Sequence, residues 1–138
     1  MDKTLNQKGQ ALLESVLCVP LFVVLLTAFL LHCRVLIIRQ QLLMAARYGT
    51  DGILFNDWTE GEVAGEIKRF LSGEAAPEIK GRNLDPEKVE VKVKISKSVP
   101  PPVFNPPSSW VEVYYRVELP AWMGRGFYIS ARSEVMKL

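Results

Sequence analysis

Histidine and cysteine are scarce in this 138-residue chain, and their scarcity removes most routes to catalysis. The single histidine is His32, and it lies inside an apolar segment. A Ser-His-Asp or Cys-His arrangement needs a histidine beside its nucleophile, so neither is expected. The sequence also has no CxxC, no phosphate-binding P-loop and no GxGxxG motif. It therefore predicts a protein that is not an enzyme and has neither a metal nor a cofactor.

Both cysteines, Cys18 and Cys33, lie in the same apolar segment. As parts of one helix they would be about 22 Å apart, which is far beyond the reach of a disulfide. Residues 50–138 contain no cysteine. This part of the chain must therefore be held together by an apolar core.

Excess charge of one sign is also missing outside the N-terminal third. Residues 50–138 contain twelve Lys and Arg side chains against thirteen Asp and Glu. A nearly neutral surface gives no electrostatic reason to bind nucleic acid. No nucleic-acid partner is predicted.

What the chain does contain is one long apolar run, from Ala11 to Ile38. Its stretch Leu12–Leu31, in which only Glu14, Ser15 and Thr27 are polar, would form a helix about 30 Å long, the thickness of a bilayer's hydrocarbon core. The run exceeds the apolar stretch of about 7–15 residues found in cleaved secretory signals. We therefore predict a transmembrane segment over about 12–33, and a plain signal anchor is the simplest explanation for it.

A polar leader, residues 1–9, precedes this run and ends in Lys8-Gly9, and Glu14 is the fifth residue after the glycine. A carboxylate inside hydrocarbon is costly, and where one occurs it usually has a partner and a task. Glycine suits a peptidase site, because catalytic groups can approach a backbone that has no side chain. This arrangement is not explained by a plain anchor.

The stretch KGQALLESVLCVPLFVVLL resembles the signal of type IV pilin-like proteins, and more narrowly that of the TadE-like pseudopilins. The residues that fit the pattern are Gly9, Gln10, Ala11, Glu14 and Pro20. Further on, LLMAARYGTDG (Leu42–Gly52) is similar to the end of that family's long helix. The resemblance implies cleavage by prepilin peptidase between Gly9 and Gln10. It also implies that Glu14 serves assembly as the partner of an N-terminal amine. Pro20 removes one backbone donor, so a kink or loosening of the helix is expected there.

The same resemblance implies a minor pilin or pseudopilin of a type IV pilus-like or Tad-type secretion filament. Its partners would be prepilin peptidase, other pilin subunits, an inner-membrane assembly platform and the lipid bilayer. The chain would cross the inner membrane once, with the N-terminus in the cytoplasm and the C-terminal domain outside. Lys and Arg are nearly balanced across the apolar run, so this orientation rests on the resemblance. The alternative is a membrane-anchored adhesin or accessory protein that does not polymerise.

Good helix formers continue beyond the apolar run, and Gly49 and Gly52 are the first stop signals. We therefore predict one long helix over residues 10–49, ending near Tyr48, with an amphipathic second half. A second helix is predicted near Thr59–Ser72. Thr59 and Glu62 form a capping box, and Gly73 ends the helix.

Three stretches of alternating apolar and polar residues predict strands in the domain at 50–138. The stretches are Val89–Ile95, Val111–Leu119 and Phe127–Val135, and a proline-rich loop separates the first two. Their connections suit an antiparallel meander whose apolar face needs a cover. The predicted fold is α+β and pilin-like: a long N-terminal helix packed on a small three-stranded antiparallel sheet.

One further candidate surface is the polar face of the second strand. Trp110, Glu112, Tyr114 and Arg116 alternate away from the predicted core. An exposed aromatic patch would be a candidate subunit or ligand contact. Burial under the proline-rich loop would equally explain these aromatic residues.

Overall fold

A computed structural model describes five segments of the chain: residues 3–74, 84–96, 108–119, 121 and 124–136. The helices are α1 (Lys3–Phe55), α2 (Glu60–Ser72) and a short 3₁₀ helix (Pro86–Lys88). The strands are β1 (Val89–Lys94), β2 (Ser109–Val117) and β3 (Phe127–Val135). Residues 97–107 of the predicted proline-rich loop lie outside the described residues. The chain divides into two compact units, Met1–Leu36 and Ile37–Leu138.

In the first unit the structure describes the N-terminal part of α1, and most of its described apolar side chains are exposed. Leu13 and Leu17, for example, are 65% and 71% exposed. Thr27 is polar, but its hydroxyl donates to the Val23 carbonyl at 2.8 Å and so needs no outside partner. By length and composition, α1 is the one helix among the described residues that can cross a membrane.

The C-terminal end of α1 differs from the predicted end near Tyr48, because the helix continues through both glycines to Phe55. A Cβ on Gly49 would lie 2.7 Å from Cδ1 of Ile67, and one on Gly52 would overlap the Trp58 ring. These glycines therefore serve close packing against α2 and Trp58. The helix ends where the N–H groups of Asn56 and Trp58 both donate to the Gly52 carbonyl.

Helix α2 begins and ends where the sequence predicted. The Glu62 carboxylate accepts hydrogen bonds from the Thr59 N–H at 2.8 Å and the Thr59 hydroxyl at 2.9 Å. Gly73 closes the helix in the left-handed conformation, with φ of 88°, and its N–H donates to the Phe70 carbonyl. The face with Val63, Ile67, Phe70 and Leu71 is buried.

The three strands form the predicted antiparallel meander in the order β1-β2-β3. Val91 lies opposite Val113, and Val113 lies opposite Ala131, so the apolar positions of all three strands share one face. Both registers continue without a bulge through the described strands. The other face carries alternating charged and aromatic residues.

The second half of α1 covers the apolar face of the sheet, as the sequence predicted. Its buried side chains are Ile38, Leu42, Ala45, Ala46 and Ile53. Buried Thr50 links the helix to β3 through a 3.1 Å hydrogen bond between its hydroxyl and that of Ser133. Tyr48 stacks on Phe70 of α2 with 4.7 Å between ring centroids. The fold is therefore α+β, with a long N-terminal helix packed on a three-stranded antiparallel sheet.

Candidate functional site

The first group of predicted site residues lies on the N-terminal part of α1. Gly9 and Gln10 are both exposed and helical. A Cβ on Gly9 would meet nothing within 4 Å, so the described structure leaves the backbone beside it open. Gly9 is open, whereas Gly49 and Gly52 are enclosed by packing.

Glu14 lies about 6 Å further along the helix axis than Gln10. Its side chain is exposed, and none of the described residues forms an ion pair with it. Its neighbours Leu12 and Leu13 are 67% and 65% exposed. A carboxylate thus projects from an apolar helix surface with no charged partner from the described part of its own chain.

Pro20 lies inside α1, where it supplies no N–H to the helical hydrogen-bond ladder. The helix is continuous on both sides of the proline. The exposed positions around it are apolar, including Val19, Leu21 and Phe22. The predicted kink at Pro20 stays a prediction.

The outer face of the sheet gathers side chains that are far apart in sequence. The ammonium of Lys92 lies 4.7 Å from the centroid of the Tyr114 ring, and the guanidinium of Arg132 lies 4.7 Å from that of Trp110. Hydrogen bonding to Glu112 raises the pKa of the Tyr114 hydroxyl. Strand alternation predicted which β2 residues share this face. The sequence analysis did not predict that Lys92 and Arg132 lie over these rings, because that placement depends on the strand register.

A shallow groove of about 470 Å³ lies along the exposed side of α2. It is lined by Trp58, Glu62, Gly65, Glu66 and Arg69. Arg69 donates to Glu66 at 2.7 Å, and Glu62 is bound to Thr59, so both carboxylates are already engaged. Apart from the helical spacing of its α2 residues, no sequence pattern predicts this groove.

Neither surface offers a cation-binding cluster. Within the described segments, no group of three or more His, Cys, Asp or Glu side chains is placed to hold a metal ion. The chemical features of the molecule are an apolar helix surface, one carboxylate on it, and a polar sheet face.

The described chain thus combines an apolar N-terminal helix, long enough to cross a membrane, with an α+β domain. Residues 9–51 match the family model described as TadE-like protein, which confirms the resemblance indicated by the sequence. The match begins at Gly9 and ends within the last turns of α1. No match was found among curated proteins or among solved structures.

The TadE-like segment links the chain to Tad pilus-associated, pilin-like proteins, which form a structural and non-enzymatic class. Other pilus subunits are the partners that this class suggests. The apolar helix suggests a membrane anchor.

Proposed function

We propose that the protein is a minor pilin or pseudopilin of a Tad-type or related type IV pilus-like secretion filament. Residues 1–9 act as a cytoplasmic leader that prepilin peptidase removes between Gly9 and Gln10. Residues 10–49 anchor the subunit in the inner membrane and later join the filament. Residues 50–138 face the periplasm or the exterior.

The observation that supports this proposal best is the position of Glu14. It lies exposed on an apolar helix, without an ion-pair partner among the described residues, inside the segment that matches the TadE-like model. A charged group in hydrocarbon requires compensation. A neighbouring subunit can supply that compensation inside the bilayer, whereas in a solitary anchor the carboxylate would have to reach back to headgroup water.

Cleavage would create the compensating charge. Removal of residues 1–9 leaves a positively charged amine on Gln10, one helical turn from Glu14 along the axis. Subunits in a filament are staggered along the axis, so the amine of one subunit can reach the level of its neighbour's carboxylate. Breaking such a buried pair by removing one partner costs about 3–5 kcal/mol. The new amine and Glu14 together form a docking determinant.

Gly9 also suits the cleavage step, because peptidases act on locally extended backbone. The Gly9–Gln10 bond lies within α1 and must unwind before it can be cut. Glycine weakens a helix by about 1 kcal/mol relative to alanine, which favours unwinding at this point. The open space around Gly9 leaves the scissile bond accessible.

The test has two steps, both on the full chain in cells that carry the secretion machinery. N-terminal sequencing and intact mass should show loss of residues 1–9 with Gln10 exposed. Glu14→Val should then be inserted and cleaved normally but fail to co-purify with filaments. Thr27→Val is the matched control, because the Thr27 hydroxyl bonds within its own helix and its loss should leave incorporation unchanged.

Two outcomes would contradict the proposal in different ways. An intact Met1, or cleavage beyond Leu31, would favour an anchored adhesin or accessory protein that does not polymerise. Incorporation of Glu14→Val at wild-type efficiency would remove the pairing step while leaving the pilin assignment in place.

A further inference from the structure

The groove along the exposed side of α2 is open because one side chain is missing. Glu62, Gly65 and Arg69 follow one another on one face of the helix, at spacings of three and four residues. An added Cβ on Gly65 would meet nothing within 4 Å. Glycine in a helix interior destabilises a protein relative to alanine, and no close packing among the described residues explains its presence here. Gly49 and Gly52, by contrast, are enclosed by packing.

Trp58 also lines this groove, and its ring is held in place from behind. The six-membered part of the indole lies against Gly52, and the ring centroid is 5.5 Å from that of Tyr48. Asp57, directly before Trp58, has a φ of 52°, a conformation that residues other than glycine rarely adopt. Trp58 is only half-buried. A fixed aromatic ring that is partly exposed is suited to contact with a cation.

Each carboxylate in the groove uses only one of its two oxygens. Glu62 accepts both of its hydrogen bonds, from the N–H and the hydroxyl of Thr59, on Oε2. Glu66 is paired with Arg69 through Oε1. Among the described residues, no hydrogen bond or ion pair reaches Oε1 of Glu62 or Oε2 of Glu66. The lining therefore has two carboxylates against one guanidinium, an excess of one negative charge.

We propose that this groove binds an arginine side chain of a partner polypeptide. The guanidinium occupies the gap at Gly65, beside the exposed part of the Trp58 ring, and donates to the two carboxylate oxygens that lack a partner. Arginine fits better than lysine, because its flat cation stacks on aromatic rings and donates several hydrogen bonds at once. The side chain of Glu66 is only 28% exposed, so water screens its charge in part.

The groove is independent of the proposed cleavage and docking steps, because it uses none of Gly9, Gln10 and Glu14. Its residues all belong to the unit Ile37–Leu138. A variant that loses arginine binding can therefore still be processed and incorporated.

Binding of a defined peptide to the full chain in neutral detergent micelles tests this site. The probe is acetyl-Ala-Arg-Ala-amide, and its uncharged match has citrulline in place of arginine. The indole N–H signal of Trp58 in a nitrogen-15 NMR spectrum, assigned with Trp58→Phe, reports occupancy. We expect a saturable shift at low salt with a Kd on the order of 10 mM. The citrulline peptide should bind about tenfold more weakly, and added salt should weaken the binding of the arginine peptide.

Two matched glycine variants test the gap. Gly65→Leu fills it and should weaken binding about tenfold or more. Gly61→Leu should bind as the wild type does, because Gly61 is equally open but does not line the groove. Circular dichroism of both variants shows whether α2 is retained.

Three charge variants test the carboxylates. Glu66→Gln should weaken binding about fivefold. Glu60→Gln is its control and should have no effect, because Glu60 lies in the first turn of α2 and does not line the groove. Arg69→Gln should strengthen binding about threefold, because it removes the cation that already competes for Glu66.

Four results would overturn the inference. Equal shifts from the arginine and citrulline peptides would show that the groove does not recognise charge. The absence of a saturable shift, or a wild-type shift in Gly65→Leu, would show that the groove does not hold the side chain. A shift of the Trp58 signal by N-acetylglucosamine and not by the arginine peptide would identify a sugar as the occupant.

Discussion

At the residue scale, the glycines show how one residue type serves three different purposes. An added Cβ on Gly9 would meet nothing within 4 Å, Gly52 lies against the Trp58 ring, and Gly73 adopts a positive φ that ends α2. Of these, the sequence correctly predicted the role of Gly73. Gly52 is also a glycine and was also predicted to be a helix stop signal. Its actual role depends on the Trp58 ring, which folding places beside it.

Gly52→Ala and Gly65→Ala should change stability in opposite directions. A Cβ at position 52 would overlap Trp58, so the ring or the helix must shift, at a cost of about 1–3 kcal/mol. Gly65 is a helical position with nothing within 4 Å, so alanine there should stabilise by about 0.5–1 kcal/mol. Urea unfolding of the two variants measures both signs. Equal effects would contradict the assigned packing role of Gly52.

Gly9→Leu should block the proposed maturation, because it places bulk beside the bond that we propose is cleaved. Gly61→Leu is its matched control: both glycines have nothing within 4 Å of an added Cβ, but Gly61 lies on α2. Only the Gly9 variant should keep its leader, as seen by gel mobility and N-terminal sequence. Normal processing of Gly9→Leu would count heavily against the peptidase assignment.

At the element scale, α2 is the helix whose limits local chemistry decided. Thr59 and Gly73 flank the two ends of α2, and Glu62 lies in its first turn. Each of them interacts with groups only a few residues away in the chain. The two hydrogen bonds from Thr59, first the backbone N–H and then the hydroxyl, lower the pKa of the Glu62 carboxyl. The stability of the first turn of α2 therefore depends on pH.

The stability that the ionised Glu62 carboxylate contributes should be lost in acid. Because its pKa is lowered in the folded state, the contribution is complete above the ordinary glutamate pKa and disappears as pH falls through the lowered value. Glu62→Gln, which keeps the shape without the charge, should have a lower Tm than the wild type at pH 7. Thermal unfolding across the acid range should show the two curves converging. A constant difference would show that ionisation of Glu62 plays no part.

At the scale of the whole molecule, the second half of α1 belongs to the sheet domain. Leu42, Ala45 and Ala46 are buried with no measurable exposure, and they lie in the same compact unit as the sheet. Most of the described apolar side chains from Leu12 to Leu36 are exposed. One helix thus has two environments along its length.

Truncation should separate these two roles. A fragment that begins at Arg34 should be soluble and give mixed α and β circular dichroism, because it retains every buried residue of α1. A fragment that begins at Ile53 loses the helix that covers Val111 and Val113 and should be poorly folded. Circular dichroism and thermal unfolding of the two fragments check this. Equal stability would contradict the packing of α1 on the sheet.

The sequence by itself determined the features that depend on near neighbours. The apolar run, the Thr59–Glu62 cap and the strand alternation each follow from residues within a few positions of one another. These were enough to predict the α+β fold and the helix-on-sheet packing, whereas the TadE-like segment was predicted from its resemblance to a known family. They also nominated Gly9, Gln10 and Glu14, whose roles stay predictions.

The tertiary structure decided the features that need residues far apart in the chain. Helix α1 continues to Phe55 because Ile67 and Trp58 fill the space beside Gly49 and Gly52. Lys92 and Arg132 meet their aromatic partners only through the strand registers. A local pattern assigns each residue a face, but it does not fix which distant residue lies opposite. That choice is made when the whole core packs, because register and contact are properties of the folded chain.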